Sequence, residues 1–104
     1  MIKENHITEK ERLGNHIRLL REDISSFDYE KESISQQELA DKNIGLTKNL
    51  IGTIERAEAN PTLDKIILLA KALNFKTFTL FGLEINVEKF VREWEAEKES
   101  KNSK

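Results

Sequence analysis

At 104 residues with a net charge of −2 and no cysteine, the chain has the size of one small domain. It excludes a disulfide scaffold and any cysteine-bearing metal site. Its longest unbroken apolar run, residues 66–70, is far below the ~20 residues that cross a bilayer, and the amino terminus lacks the apolar stretch of a secretory signal, so a cytoplasmic protein with no membrane partner is expected.

Residues 1–7 have no period and are expected to fray. Thr8 and Glu11 make a T-x-x-E capping box. The helix it opens carries Leu13, Ile17, Leu20 and Ile24 as one apolar stripe. Residues 25–33 follow as an acidic connection, with Asp28, Glu30 and Glu32 against Lys31. A surface loop with Phe27 tucked onto the core is expected there, and a partner-binding segment is the alternative. Ser35 and Glu38 form a second box, and Leu39 and Ala40 give that short helix an apolar edge. After a tight turn holding Gly45, Thr47 caps another helix, with Leu50, Ile51 and Ile54 at helical spacing. Asn60-Pro61 breaks the pattern. Thr62 then caps a helix bearing Leu63, Ile66, Ile67, Leu69, Ala70 and Leu73, which Asn74 stops. Residues 77–82 read as a short helical turn with Phe78 and Phe81 facing inward. Asn86 caps a last helix, residues 86–98, with Val87, Phe90, Val91 and Trp94 on one stripe. Residues 99–104 read as a solvated tail.

Two short helices across a glycine-bearing turn are the frame of a helix-turn-helix, whose second helix can enter a DNA major groove. Three pieces strengthen that reading by their order: Ile17-Arg18-Leu19-Leu20-Arg21; then Ile34-Ser35-Gln36-Gln37-Glu38-Leu39-Ala40; then Ile54-Glu55-Arg56 with Asn60-Pro61-Thr62-Leu63 and Leu69-Ala70-Lys71-Ala72-Leu73. Over residues 13–82 the chain resembles the Cro/repressor-type helix-turn-helix domain, the xenobiotic-response-element family. The resemblance implies an all-α, lambda-repressor-like DNA-binding domain of about five short helices plus a C-terminal helix. Here it would be a single domain over residues 8–94, with the motif at 35–56.

The same resemblance implies site residues. Lys48, Asn49 and Thr53 stand where base contacts are made. Their chemistry suits the role: Asn pairs with adenine, Lys donates to guanine, and Thr meets a thymine methyl or a polar edge. Gln36, Arg56 and Asn60 stand where phosphates are met, which sets register rather than sequence preference. Lys42 and Lys65 are weaker candidates. Arg21 and Glu55 match a structural ion pair that clamps the reading helix to the scaffold. Three features depart from the pattern. The motif turn is longer, with both Asn43 and Ile44 between Lys42 and Gly45. Gly52 lies inside the reading helix, where Gly costs about 1 kcal/mol relative to Ala. Ala57 stands where Gly is frequent.

Catalysis is not expected, nor any cofactor or metal. His6 lies in the fraying end and His16 on the first helix, and no phosphate-binding glycine loop is present. The expected function is a DNA-binding transcriptional regulator, a homodimeric repressor of double-stranded DNA. A protein-interaction module on the same fold, such as an antitoxin, is the alternative. The negative total favours that alternative, while Lys48, Asn49 and Arg56 favour DNA. Phe81, Val87, Phe90, Val91 and Trp94 are the candidate dimer interface; the helical stripe among them could instead cover the domain's own core.

Overall fold

A computed structural model of the chain describes residues 7–27 and 32–102. Most of the expected tail ends and the middle of the acidic connection, including Asp28, Tyr29 and Glu30, lie outside the described residues. The order is α1 (Glu9–Glu22), α2 (Gln36–Asp41), α3 (Lys48–Glu55), α4 (Leu63–Ala72), β1 (Thr77–Leu80), β2 (Leu83–Asn86) and α5 (Val87–Asn102). None of the described helices is long and apolar enough to cross a membrane.

Each helix starts where a short polar side chain satisfies a free amide. Thr8 accepts from the Glu11 amide at 3.0 Å and the Glu11 carboxylate accepts from the Thr8 amide at 2.9 Å, a complete capping box. Ser35, Thr47 and Thr62 accept from the amides of Glu38, Leu50 and Lys65, and Asn86 accepts from that of Lys89. Such a cap contributes about 1 kcal/mol. The Glu38 carboxylate, read as half of the second box, accepts from the Ser26 hydroxyl at 2.7 Å and the Phe27 amide at 2.9 Å. It therefore holds the start of the connection against α2. The ends of that connection are joined by an isolated antiparallel bridge between Ser25 and Ser33.

The core runs from Ile17 of α1 through Leu39, Ile51 and Ile54 of the motif to Ile67, Leu68 and Leu69 of α4 and Val87 and Val91 of α5. Gly14 brings α1 against the end of α3: a Cβ there would stand 2.5 Å from the Glu55 carbonyl oxygen. Gly45, at φ +84° in the motif turn, serves twice. It adopts a backbone that L side chains rarely reach, and a Cβ on it would meet Leu68 at 2.8 Å and the Trp94 ring at 3.0 Å. Trp94 therefore lies over the motif turn of its own chain.

Several expectations are corrected. The fold is not purely all-α: residues 77–86 form an antiparallel hairpin, pairing Phe78 with Ile85 and Leu80 with Leu83. The turn residues Phe81 and Gly82 both have positive φ, +53° and +82°, as a two-residue hairpin turn requires. Thr77-Phe78-Thr79-Leu80 alternates with the period of a strand, and Phe78 and Ile85 pack on the core. Phe81 does not face inward; it is 100% exposed at the tip. Phe27 does not tuck onto the core: it is 73% exposed, with the Lys42 ammonium 4.2 Å above its ring. Leu13, the first residue of the α1 stripe, is about half exposed. Val87 and Val91 are buried in the chain's own core and Phe90 and Trp94 pack against it. The α5 stripe is thus spent largely within the domain, where Val87 and Val91 are buried.

Candidate nucleic-acid interface

The reading helix α3 presents its first turn to solvent. Lys48 and Asn49 are exposed, and neither side chain is hydrogen-bonded or ion-paired to another described residue. Their backbone is held by the Thr47 cap, with the Leu50 amide 3.0 Å from the Thr47 hydroxyl. A donor cation and a two-way amide thus stand on a fixed helical turn, ready for base edges or phosphates. One turn on, Thr53 is half-buried and its hydroxyl donates to the Leu50 carbonyl at 2.9 Å. Its oxygen is therefore already engaged in the helix.

What fixes α3 is buried beneath it. Arg21 donates from Nε to Glu55 Oε2 at 2.7 Å and from Nη2 to Oε1 at 3.0 Å. This is the bidentate fork that gives both strength and orientation. The third arm, Nη1, donates to the Ile34 carbonyl at 2.9 Å, and Gln36 Nε2 donates to Glu55 Oε1 at 2.9 Å. One carboxylate thus ties together α1, the start of α2 and the end of α3. The hydrogen bond to Glu55 raises the Arg21 pKa against the opposing effect of burial. A group raised in this way contributes below its unfolded-state value and loses that contribution only as pH climbs past its folded-state value. No part of the neutral range removes the cation.

Gln36, expected at a phosphate, is half-buried and its amide donates to the buried Glu55 carboxylate. Gly52 explains how it gets there. A Cβ at Gly52 would be 3.0 Å from an Arg56 guanidinium nitrogen and 3.2 Å from Gln36 Oε1. The glycine is a notch that lets both side chains cross α3. Arg56 is exposed and pairs with Glu58 at 3.1 Å. Asn60 is exposed too, and its Oδ1 accepts from Lys10 at 2.7 Å. Lys65 lies outside this group. It donates to the Gly45 carbonyl at 2.7 Å and sits 5.9 Å from the Trp94 ring centre, a brace for the motif turn.

Arg18 is a residue the sequence reading left unassigned. It lines an open groove of about 670 Å³ with Asn15, Gln36 and Arg56, above the Arg21–Glu55 pair. Its contact with Glu22 is loose, 3.7 Å between exposed side chains. The signal was available: Arg18 precedes Arg21 by one helical turn, so the two share a face. Lys48 and Asn49 at the start of α3, Arg56 at its C-cap and Arg18 on α1 are all exposed, and the buried Arg21–Glu55 pair ties α1 to the end of α3.

The helix-turn-helix family matches residues 29–81, just over half of the chain. The chain belongs to this family, and its α2–turn–α3 unit is a helix-turn-helix of the Cro/repressor type. Among curated proteins it is similar to the control protein C.SmaI of Serratia marcescens, at 50% identity over 42 residues, which cover 40% of this chain and 49% of that protein. The match spans about half the length of that relative. No solved structure matches.

Proposed function

We propose that the protein is a transcriptional regulator that binds a specific double-stranded DNA site as a homodimer and acts as a repressor. The observation that carries this reading is the exposed first turn of α3, Lys48 and Asn49, held by the Thr47 cap on a helix whose far end is anchored by the buried Arg21–Glu55 pair. Asn49 reads an adenine edge, Lys48 a guanine edge or a phosphate, and Arg56 and Arg18 meet the backbone. A two-fold dimer places two such helices one turn of DNA apart, about 34–36 Å. Seated across a promoter, it excludes polymerase. The description of the Serratia marcescens relative as a control protein accords with a regulatory role. The net charge of −2 keeps one rival in view, a protein-interaction module such as an antitoxin.

The test is fluorescence anisotropy on the DNA upstream of the protein's own gene against a scrambled duplex, at about 50 and 200 mM salt. Tight binding to the first duplex alone, weakening steeply with salt, is expected. Equal and weak binding to both would turn the assignment toward the interaction module.

A further inference from the structure

The hairpin carries a cost that the rest of the chain does not repay. Phe81 holds φ +53°, a left-handed conformation that a bulky side chain rarely adopts, at a turn position where Asn or Gly is preferred. It is 100% exposed, and Leu83, which closes the turn opposite Leu80, is 66% exposed. On the face that Phe78 and Ile85 begin on the core, Leu80 is half-buried and Leu83 is exposed. Among the described residues the sheet has two strands, and each has an open outer edge.

At the other end of the same hairpin is a cavity of about 310 Å³ lined by Lys71, Phe75, Lys76, Asn86, Val87 and Glu88. Phe75 is 44% exposed there. Tip and cavity are separated by one four-residue strand, roughly 13 Å at ~3.4 Å per residue. A two-fold axis through the middle of the hairpin brings each tip to the other copy's base, because antiparallel neighbours exchange ends. The charges follow the same exchange. Glu84 lies next to the tip and Lys71 and Lys76 at the base, all exposed and without an ion pair to another described residue; Glu88 is the one acid at the base.

We propose that this hairpin is the self-association surface. Phe81 of one copy fills the cavity at the base of the partner's hairpin, Glu84 meets the partner's lysines, and the contact is repeated by symmetry. This rests on the dimer reading above and replaces the α5 stripe with a surface that the domain leaves free.

The test is sedimentation velocity of the full chain over a range of concentrations. Phe81→Asn suits the turn better than the parent residue, so the hairpin should stay folded by circular dichroism. Self-association should nevertheless weaken at least about thirty-fold, as for a central aromatic anchor. Lys76→Glu and Glu84→Lys should each weaken the dimer, and the double variant should restore it, a rescue that only a second copy of this chain provides. A Phe81→Asn protein that dimerises like the parent, or a charge swap with no rescue, would overturn the hairpin contact while leaving the dimer standing. A parent that is monomeric at every concentration would overturn both, and the tip would then be sought on a partner of different sequence.

Discussion

The reading motif and the hairpin treat their difficult groups in opposite ways. Beneath α3, two buried charges are matched atom for atom by Glu55, Arg21, Gln36 and the Ile34 carbonyl. No described buried side-chain polar atom lacks a partner. At the hairpin tip an aromatic ring is fully exposed on a strained backbone. Closure of polar contacts fixes a helix in place for work at its outer face; an uncompensated strain and an uncovered ring point outward to something that binds. One end of the molecule is complete alone and the other is not.

The sharpest way to break the first half of that contrast is Glu55→Ala. It leaves Arg21 charged, buried and unpaired, and should lower stability by about 3–5 kcal/mol, read by urea unfolding. Replacing both partners with apolar residues of similar size should recover most of the loss. Gly14→Ala comes next. Alanine is the better helix former, yet the added methyl runs into the Glu55 carbonyl, and the displaced backbone should cost about 1–3 kcal/mol. A gain in stability would mean that α1 can shift away freely. Ala57→Gly has the opposite sign. Ala57 holds φ +63° just past α3, and glycine there should stabilise by about 1 kcal/mol, seen as a higher midpoint at unchanged slope. Arg56→Ala should do least to the fold. It should weaken all duplexes alike and flatten the salt slope by about one, whereas a loss confined to one sequence would make Arg56 a base reader.

Much of this was legible before the structure. Thr8, Ser35, Thr47, Thr62 and Asn86 mark the helix starts because a capping hydroxyl or amide acts on neighbours three residues away, which sequence records directly. The Arg21–Glu55 pair came through the family resemblance, not through spacing. The hairpin was hidden because Phe78 and Phe81, three apart, imitate a helical face, and because the turn carries Phe-Gly instead of the usual Asn-Gly. Gly52 stands in the sequence only as a helix cost and Gly14 carries no signal, for one reason: both answer to a tertiary approach, of α1 to α3 and of Gln36 and Arg56 across α3. The α5 stripe showed that Val87 and Val91 would be covered, but not by which body. The Trp94 ring over Gly45 settles that it lies on its own chain.

The most direct measurement compares Asn49→Ala with the parent in anisotropy titrations across a set of single-base operator variants. If the first turn of α3 reads DNA, the variant loses about 1–3 kcal/mol on the parent site and becomes indifferent to one base pair that the parent distinguishes. Equal binding by the two proteins across all the operator variants would contradict the account by removing Asn49 from the reading set.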